Sequence, residues 1–427
     1  MSANNFQETT LPDGLRVLTE HHPHVESATL GLWIRAGSIY ENQREQGLSH
    51  VLEHMVFKGT QRGQKSRSMA QIAAQMDVLG GGMNAFTERE FVCFHVKVLK
   101  DDIKPALELL CEFAAHPKLD EDLLEIEKGV ILEEIRAVED APEERVEDLF
   151  LGALWEHSRW GRPILGDPQS VEKLTASDLR RFMARFYGPQ RAVLVAVGRV
   201  DHDEIVQMAG KWLADLPGDR QCKTALPAAP QVGPHHVVVR DETEGAHLII
   251  GTRGFAYDDP KRFAAWALDS IMTGGYSSRL FQEIREKRGL CYSIGGMSAS
   301  YRAAGYWAVE TSVAPENAAK TAQLIAKEIR KLKNEGVKAI ELKRAKQMAR
   351  VNLLLGEESS SAQMGRIARS ELYYGRQKSS AETLAQIEAV TLEQIQSVAR
   401  EMFTPELMNF AAIGPIPVKP GLEIDVS

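Results

Sequence analysis

A repeat at one constant offset constrains this chain more than any single motif does. Thr175, Leu179, Pro189 and Gly198 recur as Thr391, Ile395, Pro405 and Gly414, each 216 positions further on. In both copies a threonine can cap an amphipathic helix, a proline follows the helix end, and an apolar strand runs to a glycine. Upstream, Gly161-Arg162 recurs as Gly375-Arg376 at an offset of 214. Four positions held at one offset imply a duplicated unit of about 215 residues.

At 427 residues the chain is too long for one ordinary core, which agrees with two units. Pro217, Gly218, Pro227, Pro230 and Pro234 interrupt all periodicity between the copies. The expected division is therefore a first unit of residues 1–216, a linker of 217–234 and a second unit of 235–427. Residues 15–19, 29–35, 91–98 and 192–197 are short and β-rich, whereas 104–115, 121–138 and 176–186 carry apolar residues at helical spacing. The fold class expected is α+β, each unit an antiparallel sheet packed with helices.

Hydrophobic residues at 44% and charged residues at 26% are the balance of a soluble globular protein, and no apolar run is long enough to span a bilayer. A net charge of -8 without a basic block argues against nucleic acid or anionic lipid as a partner. The opening residues have neither a signal-peptide nor a transit-peptide pattern, so the cytoplasm is the expected compartment. Cys93, Cys111, Cys222 and Cys291 are scattered and read as small buried hydrophobes. Acidic residues gather from Glu139 to Asp148, which reads as a solvated helix face, or else as a patch that attracts basic peptides.

Chemistry concentrates in residues 47–59, GLSHVLEHMVFKG. His50, Glu53 and His54 stand at i, i+3 and i+4 and share one face of a helix, so two imidazoles can hold one ion with a carboxylate beside them. Leu48, Val51, Leu52, Met55, Val56 and Phe57 surround the triplet, and histidines buried among them need partners. Catalytic zinc takes three protein ligands and keeps a fourth position open. A helix over residues 125–138 offers the third, although spacing alone does not choose among Glu127, Glu133 and Glu134.

HVLEH, followed by EKGVILEEI about 80 residues later, resembles the inverzincin (M16-type) zinc metallopeptidases of the pitrilysin class. Their smaller bacterial members are related to the β subunit of the mitochondrial processing peptidase. The resemblance covers nearly the whole chain and implies the metallopeptidase M16 / LuxS-like fold. It implies one Zn2+ per chain, held by His50, His54 and Glu134, with Glu127 supporting and Glu53 as the catalytic base. Asn84, Ala85 and Phe86 resemble the family's substrate-pairing edge strand, and Gly274-Gly275 its glycine-rich loop. Arg285 and Tyr292 match the pair that the family's C-terminal unit presents to substrate.

Aligning the copies sets Ala265, Leu268 and Asp269 opposite His50, Glu53 and His54, and Lys343 and Arg350 opposite Glu127 and Glu134. The fold does not need those metal-binding residues, so the first unit's set is better explained by chemistry. The resemblance further implies a homodimer with composite active sites enclosing a chamber, and peptides or unfolded segments as substrates. The alternative is an inactive binding or scaffold subunit of the same family.

Overall fold

The computed structural model describes residues 5–80, 82–219, 226–227, 229, 233–416 and 426. Cys222 and much of the expected linker lie outside them.

In chain order the elements begin β1 (Phe6–Thr10), β2 (Arg16–His21), β3 (Ser27–Ile34), α1 (Leu48–Met55), β4 (Gly59–Arg62), β5 (Lys65–Ser68), α2 (Met69–Val78), β6 (Asn84–Thr87) and β7 (Val92–Leu99). Then come α3 (Ile103–Ala115), α4 (Glu121–Glu139), α5 (Pro142–Leu154), α6 (Pro168–Lys173), α7 (Ala176–Phe186), β8 (Ala192–Gly198) and α8 (His202–Trp212). The second copy supplies β9 (His236–Val239), β10 (Ala246–Arg253), α9 (Arg262–Thr273), β11 (Cys291–Ser300), β12 (Gly305–Val313) and α10 (Ala318–Glu335). It ends with α11 (Ala339–Gly356), α12 (Ser360–Tyr374), α13 (Ser380–Glu388), α14 (Leu392–Met402) and β13 (Asn409–Ile413).

The duplication is visible in the wiring. One sheet has the order β1-β2-β8-β3-β7-β6 and the other, read from its far edge, β9-β13-β10-β12-β11. Apart from the extra β1 the pairings correspond one to one. Both sheets are mixed rather than wholly antiparallel, because β2·β8 and β13·β9 run parallel. A parallel neighbour needs a crossover connection rather than a hairpin, and long helical stretches separate each of these pairs in sequence. The matched residues do matched work. Thr175 and Thr391 each close a capping box, on Asp178 and Gln394. Gly198 ends β8 and Gly414 directly follows β13, at φ of 125° and 141°, where a side chain would be strained.

Packing divides the chain otherwise than the linear halves. One compact unit comprises Met1–Ile135, Pro163–Ala225 and Leu355–Lys378; the other comprises Arg136–Arg162, Leu226–Leu354 and Ser379–Ser427. The exchanged pieces are equivalent: α12 packs on β3 and β8, and α5 on the corresponding β10 and β13. Covered on both faces, β3 reads as an almost continuous apolar run, and all but its first residue are buried. Trp33 faces α12, donating from Nε1 to Met364 Sδ at 3.0 Å. A Cβ on Gly31 would lie 2.5 Å from that sulfur, so a side chain there would push the Met364 thioether aside.

The polar stretch after α1 forms the β4–β5 hairpin. It is fastened to α3, where Glu112 accepts from Thr60 Oγ1 at 2.9 Å and pairs with Arg67.

Candidate metal centre

Helix α1 is aimed from its first turn. Gly47 precedes it at φ 85°, and the buried Glu41 carboxylate accepts from the amides of Gly47 (2.9 Å) and Ser49 (2.7 Å). These are donors that a helix start leaves unsatisfied. Leu48, Val51, Leu52 and Met55 are wholly buried and fix the helix's rotation. That rotation brings His50 and His54 together, with ring centroids 4.6 Å apart.

Glu134, from α4, completes the group. Its Oε2 lies 3.7 Å from His50 Nε2 and 3.7 Å from His54 Nε2, and one ligand atom from each of the three falls within 4.8 Å of the others. Tetrahedral zinc with bonds of about 2.0–2.1 Å sets donors roughly 3.3–3.4 Å apart, so small side-chain movements would let all three hold one ion. Of the three glutamates open on spacing, Glu134 is the one in this group. Glu127, two turns earlier and 4% exposed, stands behind His54: its Oε1 is 2.9 Å from His54 Nδ1 and its Oε2 2.6 Å from Lys58 Nζ. A proton on His54 Nδ1, donated to Glu127, leaves Nε2 with its lone pair toward Glu134.

Electrostatics suits a cation. Burial, reinforced by the neighbouring His54, pulls the His50 imidazole down to about 4, so it is neutral and able to donate a lone pair. Burial raises Glu127 as well, but the hydrogen bonds from Lys58 and His54 outweigh it and hold its carboxyl below the usual range. For Glu53, burial wins over the Thr87 hydrogen bond and the carboxyl is raised, in the direction that suits a proton acceptor.

Asn84, Ala85 and Phe86 lie in β6, which among the described residues pairs only with β7 and stands at the end of the first sheet. Asn84 is exposed, Ala85 is buried and the Phe86 ring packs edge-on against Trp33 at 5.3 Å. Arg285 and Tyr292 come together in the second unit. Arg285 occupies a π-helical turn, Phe281–Glu286, with its guanidinium 4.6 Å from the Phe281 ring centroid and 5.5 Å from that of Tyr292. Tyr292 is 87% exposed. Asp269, aligned with His54, is engaged otherwise: its Oδ1 accepts from Trp307 Nε1 at 2.8 Å and Thr273 Oγ1 at 2.9 Å.

The sequence did not reveal the parts played by Glu41 and Lys58, nor the contact of Thr87 with Glu53. Lys58 carried a signal, since it lies one turn beyond His54; the other two are brought in by the tertiary fold.

Fold and site together define a metallopeptidase-type protein of two similar units. Residues 16–168 match the family model described as Insulinase (Peptidase family M16), and residues 173–349 match the Peptidase M16 inactive domain. The chain belongs to peptidase family M16. It is 37% identical over 416 residues to an uncharacterized zinc protease of Mycobacterium tuberculosis, covering 96% of this chain and 93% of the relative. It is 36% identical over 417 residues to one of Streptomyces coelicolor, covering 96% and 90%. A third, of Bacillus subtilis, is 32% identical over 397 residues, covering 93% and 95%. The crystal structure of a protease from Helicobacter pylori has the same fold, with a TM-score of 0.88 at 21% identity over 96% of this chain and 99% of that one. Among the described residues no helix is long and apolar enough to cross a membrane.

Proposed function

We propose that this chain is a zinc-dependent endopeptidase acting on peptides or unfolded polypeptide segments. The observation that carries this reading is the convergence of His50, His54 and Glu134 with Glu53 one residue from a ligand on the same helix. The three would hold Zn2+, one per chain, which when bound supplies Lewis-acid polarisation and lowers the pKa of water. Glu53 takes a proton from the attacking water and passes it to the leaving amine. The free edge of β6 pairs with the backbone of an extended peptide, which gives affinity without reading much sequence.

Arg285 and Tyr292 are proposed to bind the substrate carbonyl at the zinc site of a second copy, two chains enclosing a chamber that excludes folded proteins. This part rests on the family resemblance and on the exposure of Tyr292. The intact set of His50, Glu53, His54 and Glu134 favours an active enzyme over an inactive scaffold subunit.

The test compares zinc content and peptide cleavage in wild type and Glu53→Gln. Retained zinc with cleavage reduced by about 100-fold or more is expected; full activity in that variant would refute the mechanism. Mixing Arg285→Ala with Glu53→Gln chains should restore activity in the mixed dimer. No recovery despite proven subunit exchange would place each site within one chain.

A further inference from the structure

We infer that Thr87 positions the Glu53 carboxylate and couples the docking strand to the base, an inference that rests on the endopeptidase reading above. Thr87 is the last residue of β6, and its hydroxyl donates to Glu53 Oε2 at 2.6 Å. Ser49 O lies farther away, at 3.4 Å, so the carboxylate is the principal acceptor of the one hydroxyl proton. The side chain is β-branched and stiff at χ1, so the direction of its hydroxyl follows the strand backbone.

That backbone is held on one side and open on the other. Thr87 pairs with Val92 of β7, and the turn that follows is anchored to α12. Arg369 lies 2.6 Å from Glu88, and the Tyr373 hydroxyl donates to Glu90 at 2.5 Å. Toward Asn84 the same strand presents the free edge of the sheet. Glutamate has three rotatable side-chain bonds and, left alone, samples several orientations. With Oε2 fixed by Thr87, Oε1 is the oxygen left to accept a proton. A peptide adding to β6 orders the strand that orients the base, so docking and proton transfer are linked through Thr87.

The experiment compares Thr87→Val, which keeps the shape and removes the hydroxyl, with Thr87→Ser, which keeps the hydroxyl. Zinc content, kcat and KM are measured on a quenched fluorescent peptide, with Glu53→Gln in parallel. Thr87→Val is expected to retain its zinc and lose about 10–100-fold in kcat, the scale of a hydrogen bond to a charged group, with KM changed less than about threefold. Thr87→Ser is expected to recover kcat to within about fivefold of wild type. A Val variant with wild-type kcat would overturn the inference. So would a loss accompanied by loss of zinc, or one that serine does not recover, since either marks a merely structural role. An inactive Glu53→Gln beside a fully active Thr87→Val refutes the positioning role alone, whereas a fully active Glu53→Gln refutes the endopeptidase mechanism itself.

Discussion

His54 Nδ1 lies 2.9 Å from Glu127 Oε1, while the other oxygen of that carboxylate lies 2.6 Å from Lys58 Nζ. The imidazole is thus oriented from behind by a group that is itself held. His50 has no equivalent: its Nδ1 is buried without a hydrogen-bond partner among the described residues. Removing Glu127 should therefore loosen the better-oriented of the two histidines. Glu127→Ala is expected to weaken zinc affinity by about 10–100-fold, measured by competition with a chelator, with the circular dichroism spectrum unchanged. Unaltered affinity would show that His54 is oriented by its packing alone.

Glu134 and Glu53 should separate cleanly by the same assay. Glu134 Oε2 is 3.7 Å from both Nε2 atoms, whereas Glu53 Oε2 is occupied by Thr87. Glu134→Gln is expected to lose most of its zinc on dialysis, and Glu53→Gln to keep it. If Glu134→Gln binds zinc as tightly as wild type, the third ligand must be sought among the neighbouring glutamates.

Glu41 yields a pH prediction. Burial pushes its carboxyl up to about 8 from an ordinary 4.5, against the lowering pull of its hydrogen bonds with Ser49 and Gly47. The folded state therefore holds this proton more tightly than the unfolded chain does. The stabilisation is fully present below about pH 4.5 and is lost as the pH rises through about 8. Glu41→Gln removes the titration. Relative to that variant, wild type is expected to lose roughly 2–3 kcal/mol of stability between pH 6 and pH 9, measured by urea denaturation. A difference independent of pH would mean that the carboxyl is ionised throughout.

Local physics made part of this molecule readable in advance. The capping threonines, the turn prolines and the strand-ending glycines act within a few residues of where they stand, so the repeat and the helix of the candidate metal centre could be read from short windows. Residues acting across the fold could not. Thr87 meets Glu53 only because β6 ends beside α1, and Glu41 reaches Ser49 through a turn with no regular period. Spacing could not choose Glu134 over Glu127, since residues seven apart share a helix face; the distances to His50 and His54 made the difference. Least legible was the exchange of α5 and α12, because an amphipathic pattern says that a face is buried and not which sheet buries it.

That exchange gives the last prediction. Ile367, in α12, is fully buried in a cluster with Leu18, Trp33, Val193 and Val195, all of the first copy's sheet. Truncating it leaves a void between helix and sheet, which the surrounding side chains fill only in part. Ile367→Ala is expected to cost about 2–5 kcal/mol of stability. Hydrogen exchange should place the damage where the packing does: amides of β3 and β8 lose protection, although the mutation lies more than 150 residues from either strand. Amides of β10 and β13, covered by α5, should be spared, and loss of protection there instead would contradict the exchanged arrangement.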